Sequence, residues 1–408
     1  MKAVLSAACV VCAALSVVPA AFGQVPSTDP APVPQPTTSP DLPLPSGVGW
    51  IFTPGMTISA MHDSNVALRS APASTNRTED DVVFTLNPSG NLRYTGKYTE
   101  LSASYRGRFR RYMELDQLNG YDQRSTIGVR HRATRHVTVF GGNSYTLAPS
   151  TDEIDLAGVP YVRVGSRSDR AGAGFTAVTS DRIEVSARYD FTWIEFDRAD
   201  LPGGLIHGIG GDVTSRLTTR LRAGGETSIR FADIGAGERR LRFVDTGAVI
   251  HYDVTRHSKF EFAGGMGTLT DRLTGTTNVG PYFRGSIATV TEDAVVGASF
   301  QRSFIPAFGF GGSARSQQAR GWVDLPRLAR RTSAQFSLTW LRNEPLVTTN
   351  VQTDHIQARA TIGYALAPRI RAQGFYAFTR QDSIVVGGEI NRSRIGAELV
   401  LFQPMRIR

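Results

Sequence analysis

The residues of this chain that can do chemistry are its arginines, which recur at every second position in several segments. Arg106, Arg108 and Arg110 form one such run, and Arg130 and Arg132 form another. Alternate residues of a β-strand project from the same face, so each run places guanidinium groups side by side. Guanidinium groups bind carboxylates and phosphates. The spacing therefore indicates anion binding along strands.

Sites for catalysis, metals or cofactors are not expected. The seven histidines are scattered and form no spaced ligand set such as His-Glu-x-x-His, and no Gly-x-Ser-x-Gly motif occurs. The glycine-rich segments 208–211 and 309–312 do not open helices, so they do not indicate phosphate binding. His62-Asp63 would suit an outer-membrane hydrolase, but a second catalytic pair is not visible. We therefore expect no enzymatic activity.

The elements that position the arginines are predicted to be β-strands, because apolar and polar residues alternate along them. Segments 183–193, 333–341 and 356–366 each have one apolar face and one polar face. The apolar face is rich in alanine, glycine and single aromatics, which favours a lipid-facing surface over the packed core of a soluble β-sandwich. Aromatic residues near strand ends are predicted to form interfacial girdles, namely Trp193, Phe196, Trp340, Tyr376 and Phe378.

Short turns with Thr or Ala beside a charged residue, such as Thr134-Arg135 and Thr255-Arg256, recur along the chain. They predict periplasmic turns of about two to four residues that alternate strictly with external loops of about eight to twenty. The predicted fold is all-β: a transmembrane antiparallel up-and-down β-barrel of about 18 strands, with 16 as the alternative. Within 240–254 the apolar pattern changes phase after Phe243, which predicts a β-bulge.

The chain divides into three predicted parts. Residues 1–23 have the charged, apolar and small-residue regions of a signal peptide, cleaved near Gly23-Gln24. Residues 24–48 form a Pro-rich periplasmic tail or linker, whose binding to a partner is left open. Residues 49–408 form the barrel, which places the protein in a bacterial outer membrane. Both cysteines, Cys9 and Cys12, fall in the signal, so thiol chemistry is not expected.

If the apolar face contacts lipid, the alternate face lines an aqueous lumen, because arginine in lipid would cost about 2–4 kcal/mol near the midplane. With Arg124 on the same parity, the predicted pore-lining residues are Arg106, Arg108, Arg110, Arg130, Arg132, Arg188, Arg222, Arg230, Arg359 and Arg371. The formal net charge of +9 agrees with an anion-preferring lumen. The alternative is that these arginines brace the wall by pairing with inward acids. Nucleic acid is not an expected partner, because the basic residues are dispersed.

The third external loop, about 148–167, is predicted to be the longest. It contains Asp152, Glu153 and Asp155. Folded inward against the arginines of the third and fourth strands, these acids would form a constriction with a transverse electric field. The alternative is a solvated acidic surface loop.

The chain resembles the putative β-barrel porin 2 superfamily over residues 50–408. The resemblance rests on the opening strand followed by Asp63-Ser64-Asn65-Val66, and on Arg-rich strands joined by Thr/Ala-Arg turns. The final strand, at 394–401, also resembles the C-terminal assembly signal of outer-membrane barrels. The family resemblance implies a barrel that works in exopolysaccharide or capsule secretion, beside a periplasmic polysaccharide-export protein.

The first functional expectation is therefore a translocation pore that exports an acidic polysaccharide through the outer membrane. A general or anion-preferring diffusion porin is one alternative, and a structural or adhesive barrel is another. The expected partners are outer-membrane lipid, the periplasmic export protein, and either polysaccharide or small anionic solutes.

Overall fold

The computed structural model describes residues 48–69, 79–151, 159, 162–309, 311–346, 352–383 and 388–407. They contain one short 3₁₀ helix, Asp116–Leu118, and a series of β-strands. The strands are β1 (Gly49–Asp63), β2 (Asp81–Thr95), β3 (Thr99–Tyr112), β4 (Gly120–Arg132), β5 (Val137–Ala148), β6 (Ser166–Val178), β7 (Ile183–Phe196), β8 (Gly204–Arg216), β9 (Leu221–Ile234), β10 (Arg239–Asp253), β11 (Ser258–Asp271), β12 (Thr277–Val290), β13 (Val295–Ala307), β14 (Gly312–Ala329), β15 (Thr332–Pro345), β16 (Thr353–Ala367), β17 (Ile370–Ser383), β18 (Gly388–Phe402) and β19 (Met405–Ile407).

The strands form one closed barrel. From β1 to β18, each strand pairs antiparallel with its neighbour in sequence, and β1 also pairs with β18 and so closes the barrel. The short β19 extends the closing seam, since Met405 pairs with Phe52 and Ile407 with Trp50. The predicted 18-stranded up-and-down barrel is confirmed. In the described part of the chain, no helix has the length and apolar character needed to cross a membrane.

The recurring threonines of the short turns have a structural reason. Thr134, Thr218 and Thr291 each accept, through the side-chain hydroxyl, a hydrogen bond at 3.0 Å from the backbone N–H three residues later. Ser180 does the same for Ile183 at 3.1 Å. These bonds satisfy backbone groups that the strand ladder leaves unpaired, which explains why a hydroxyl residue opens so many turns at this rim.

The predicted strict alternation of short turns and long loops is wrong for the external loops, because some of these are short. Several strands run further outward than the apolar pattern predicts, so β9 connects to β10 through 235–238 and β11 connects to β12 through 272–276. The ladder continues beyond the lipid-facing region because backbone pairing does not require apolar side chains. The alternation of apolar and polar residues marks only the lipid-facing part of a strand, so it predicts strands that are too short.

The predicted bulge in β10 is also wrong. Residues Leu241 to Tyr252 pair without interruption to both β9 and β11. Leu241 and Phe243 face the inside of the barrel, whereas Ala248, Ile250 and Tyr252 lie on the alternate positions and face outward. The phase change marks apolar residues that line the interior, rather than an irregular backbone.

One hairpin departs from the wall. The β12–β13 ladder ends at Phe283–Arg302, although β12 begins at Thr277 and β13 continues to Ala307. The outer part of β13 pairs only with β14, and residues Ser303 to Ala307 are all buried. The outer end of the β13–β14 hairpin, residues 303–309 and 311–316, is named the infolded tip.

Candidate functional site: the lumen

The solvent exposure of the side chains distinguishes the outward face of the barrel wall from the inward face. Large apolar residues with 41–51% exposure, such as Leu86, Phe109 and Ile127, occupy one set of alternate positions. The ten predicted arginines all lie on the other set, with Arg124. Arg110 and Arg230 are buried there, seven others are half-buried, and Arg132 is exposed at the periplasmic end. These positions alternate with the exposed apolar ones, and the lining of a conducting pore by these arginines stays a prediction.

On β7–β12, inward arginines are paired with inward acids. Arg222 bonds Glu184 at 3.1 Å, and Arg188 lies 3.1 Å from Asp190. Two further pairs, Arg230–Asp245 and Arg284–Glu226, lie on the same part of the wall. This region, the paired wall, matches the alternative in which arginines brace the barrel. Its positive charges are offset locally.

The Glu226–Arg284 pair crosses two intervening strands. Arg284 on β12 donates two hydrogen bonds to the Glu226 carboxylate on β9, and the Tyr282 hydroxyl donates a third. Gly247 and Gly265 lie in the same row between them. A Cβ at Gly247 would lie 2.3 Å from the Gly264 carbonyl oxygen, and one at Gly265 would lie 2.1 Å from that of Thr246. These two positions require glycine because the backbones approach closely and the charged side chains pass over them.

Arg230 connects the paired wall to the infolded tip. Its Nη2 donates to Asp245 Oδ2 at 2.9 Å and to the Phe304 carbonyl oxygen at 3.0 Å. Its guanidinium group also lies 5.1 Å from the centroid of the Phe243 ring. One buried cation therefore fixes β9, β10 and the displaced end of β13 together inside the barrel.

Apolar residues fill the lumen around this point. The apolar lumen cluster consists of Val159, Ile194, Phe196, Leu201, Ile206, Ala232, Ile234, Leu241, Phe243, Leu269, Phe304 and Phe308. Its members come from inward positions of β7–β11, from the infolded tip and from two external loops. Phe196, predicted to lie in an outer aromatic girdle, belongs to this cluster with 7% exposure. That prediction is wrong because Phe196 has the inward parity of Ile194.

The external loops meet over the other side of the mouth. Arg163 donates to the Val66 carbonyl oxygen at 2.8 Å, the Tyr112 hydroxyl at 3.0 Å and the Leu118 carbonyl oxygen at 3.1 Å. It therefore ties the β5–β6 loop to the β1–β2 and β3–β4 loops. The predicted constriction acids Asp152, Glu153 and Asp155 lie outside the described residues.

Opposite the paired wall, inward arginines outnumber inward acids. On β3–β4 and β14–β18 they include Arg106, Arg108, Arg124, Arg320, Arg359, Arg371 and Arg394, which we name the basic wall. Its inward acids include Asp122, whose carboxylate lies 3.9 Å from Arg108, and Asp324 and Glu398. The Arg108 side chain is 28% exposed, so solvent reaches this wall.

Several inward arginines are not among the predicted residues, for example Arg284, Arg320, Arg392 and Arg394. Each alternates with outward residues, as Arg284 does with Phe283 and Gly285, so the same parity rule would have found them. In the described part of the chain, no group of His, Cys, Asp and Glu residues is arranged to hold a metal ion.

The outer surface shows where the barrel lies. Exposed apolar side chains such as Ile209, Val213, Ile362 and Ile395 surround it, all on outward positions. A closed barrel satisfies its own backbone hydrogen bonds, so strands can cross lipid in this form. The chain is therefore a β-barrel of a bacterial outer membrane.

No family model and no curated protein matches the chain. Among solved structures, it is similar to OccAB4 of Acinetobacter baumannii, at 8% identity and a TM-score of 0.46, over 88% of this chain and 98% of that one. It is also similar to OpdQ of Pseudomonas aeruginosa, at 10% identity and a TM-score of 0.45, over 87% and 98%. The outer membrane protein opdK of the same organism gives 8% identity and a TM-score of 0.44, over 88% and 100%. The barrel assignment rests on the strand pairing of this chain itself.

Proposed function

We propose that the barrel is a diffusion pore for small anionic solutes. The observation that carries this proposal is the excess of inward arginines over inward acids on the basic wall, which faces the paired wall across the lumen. Cations lining a low-dielectric passage attract anions and raise their local concentration. Exposure of the Arg108 and Arg222 side chains, 28% and 42%, supports contact of these charges with water and solutes.

The mouth favours small solutes over polymers. The infolded tip and the apolar lumen cluster occupy part of the lumen, and Arg163 holds three external loops together. A polysaccharide chain would have to displace these contacts during export. Export of an acidic polysaccharide is therefore the weaker candidate. The arginines of the basic wall, which a polyanion could contact one after another, are the feature that favours it.

Ion selectivity tests the proposal. We expect the purified protein in a planar bilayer to show a reversal potential of anion-selective sign in a KCl gradient. The variant Arg106→Gln/Arg108→Gln/Arg124→Gln should lose most of this selectivity, because it removes three charges of the basic wall. The matched control is Arg135→Gln/Arg182→Gln/Arg220→Gln, which removes three exposed charges from periplasmic turns and should leave selectivity nearly unchanged.

The other candidates give different results. Absence of any conductance in the correctly folded protein would favour a structural barrel with a plugged lumen and would exclude the diffusion pore. A deletion strain that loses surface polysaccharide while solute uptake stays normal would favour the export function.

A further inference from the structure

A cluster of three arginines lies on the outside of the barrel, at the external end of β10 and β11. Arg240 and Arg242 occupy outward positions of β10, and Arg272 directly follows β11 on the corresponding outward position. All three are exposed. We name them the outer arginine triad. They belong to neither wall of the lumen, so the proposed pore function does not account for them.

The three side chains are close neighbours. The Arg272 backbone N–H donates to the Arg240 carbonyl oxygen at 2.7 Å, which continues the β10–β11 ladder and sets Arg240 opposite Arg272. Arg242 is two residues from Arg240 on the same face. Directly opposed residues have Cβ atoms about 4.5–5.5 Å apart, and like charges in this arrangement are destabilising. An anion bound between them would remove that cost.

Protein acids compensate little of this charge. Asp233 on β9 lies 3.8 Å from Arg240, and both side chains are at least half exposed. Among the described residues, neither Arg242 nor Arg272 forms an ion pair. Other outward arginines at the external end of the barrel are paired with acids. Arg342 lies 2.6 Å from Asp354, and Arg380 lies 3.0 Å from Glu389.

The position along the strands indicates the source of the anion. On β10 the outward residues run from Tyr252 through Ile250 and Val244, and change to arginine at Arg242. The Arg242 partner on β9 is Phe231, 41% exposed, and the Arg272 guanidinium group lies 6.0 Å from the centroid of that ring. Closer to the periplasmic end on the same face, Ile229 and Met266 are exposed apolar residues. The triad therefore lies where headgroups of the outer leaflet begin.

We propose that the outer arginine triad binds the phosphate groups of a phosphorylated glycolipid in the outer leaflet. Each guanidinium group offers a planar pair of N–H donors that matches a phosphate. The acyl chains of the same lipid lie against Phe231, Ile229 and Met266. The triad with Asp233 has a net charge of +2, and the lipid phosphates neutralise it.

The test uses the full-length protein, purified in detergent and supplied with diphosphoryl lipid A, its dephosphorylated form or inorganic phosphate. Native mass spectrometry measures bound lipid. We expect diphosphoryl lipid A to bind the unmodified protein, and binding to Arg240→Gln/Arg242→Gln/Arg272→Gln to be weaker by about tenfold or more, because the variant loses three charge-assisted contacts to phosphate.

The matched control is Arg315→Gln/Arg342→Gln/Arg380→Gln, which removes three charges near the same end, each paired with an acid. It should bind lipid normally. Heat-modifiable migration checks that each variant retains the folded barrel. Equal binding of the dephosphorylated lipid, or equal loss in the control variant, would overturn the proposal. Competition by inorganic phosphate with no requirement for lipid would show an adventitious ion only, and would also overturn it.

Discussion

At the scale of single residues, the seam that closes the barrel contains a buried ion pair. Arg392 on β18 donates to Asp63 on β1, with Nε 2.9 Å from Oδ1 and Nη2 2.5 Å from Oδ2. The two side chains are only 4% and 0% exposed. Asn65, beside them, donates from its side chain to the Asn391 carbonyl oxygen at 3.1 Å. Strand β18 is therefore joined to β1 and the residues that follow it by buried polar contacts that neither side could satisfy alone.

Arg392→Ala should destabilise the barrel by about 3–5 kcal/mol, because it leaves the Asp63 carboxylate buried without its cation. Urea unfolding in detergent, followed by heat-modifiable migration, measures the change. The control is Arg380→Ala, whose half-exposed pair with Glu389 should contribute about 0–1 kcal/mol. Equal stabilities of the two variants would contradict this view of the seam.

Asp81 organises the β3–β4 loop through backbone amides. It accepts hydrogen bonds from the N–H groups of Met113, Glu114 and Leu115, and from its neighbour Val82 at 2.6 Å. Burial raises the pKa of Asp81, but the four N–H donors together lower it by more. The pKa therefore lies below its ordinary value of 3.8. Hydrogen bonds of this kind favour the ionised form over the protonated one.

Because the pKa of Asp81 is lower in the folded protein than in the unfolded chain, the ionised carboxylate stabilises the fold. This stabilisation is fully present above pH 3.8, the ordinary pKa, and is lost as the pH falls through the lower, folded pKa. We expect the amide NMR signals of Met113, Glu114 and Leu115 to shift together in that acidic range. Asp81→Asn should abolish this titration. Unchanged titration of the three amides in the variant would show that another group controls the loop.

The arginines show how far single positions follow from sequence. Alternation assigns the ten predicted residues to one face of their strands, and the same rule assigns Arg284 on β12 and Arg320 on β14 to that face. The acid that pairs with each arginine cannot be predicted from alternation. The Arg284–Glu226 pair joins strands three places apart, and depends on the register of each ladder between them and on two glycines without side chains.

At the scale of elements, the infolded tip is the feature that could not be predicted from the sequence. Strand periodicity reports which face of a strand meets lipid, but Phe304, Ile305 and Ala307 are all buried and carry no alternation. The clearest signal lay elsewhere, in Leu241 and Phe243, whose phase reflects an apolar interior. From sequence alone the phase change predicts a bulge, because alternation does not show that the interior of the barrel is apolar at this point.

Removing the infolded tip should widen the pore. Ser303 and Ser316 are paired, so a two-residue Asn-Gly turn can join them in place of 304–315. We expect a higher single-channel conductance, together with a loss of stability of about 3–5 kcal/mol for each deleted cluster phenylalanine. The control replaces 235–238 with the same turn between the paired Ile234 and Arg239, at the external rim. Conductance that rises equally in both variants would contradict a specific role for the tip.

At the scale of the whole molecule, charge is distributed unevenly around the lumen. Arg230–Asp245, Arg284–Glu226 and similar pairs offset one another on the paired wall, while arginines predominate on the basic wall. The resulting field points across the passage and acts at a distance from each guanidinium group. It therefore depends on the ions in solution, unlike the direct contacts that hold the barrel together.

Anion selectivity should therefore fall as salt rises. The Debye length shortens from about 30 Å at 0.01 M to about 3 Å at 1 M, so the basic wall influences the whole lumen only in dilute salt. We expect the anion-to-cation permeability ratio, from reversal potentials at constant gradient, to approach unity over this range. The variant Arg106→Gln/Arg108→Gln/Arg124→Gln should start near unity and change little. A ratio that stays high at 1 M salt would mean instead that anions are selected by direct contact at a narrow site, because screening leaves contacts within that site nearly intact.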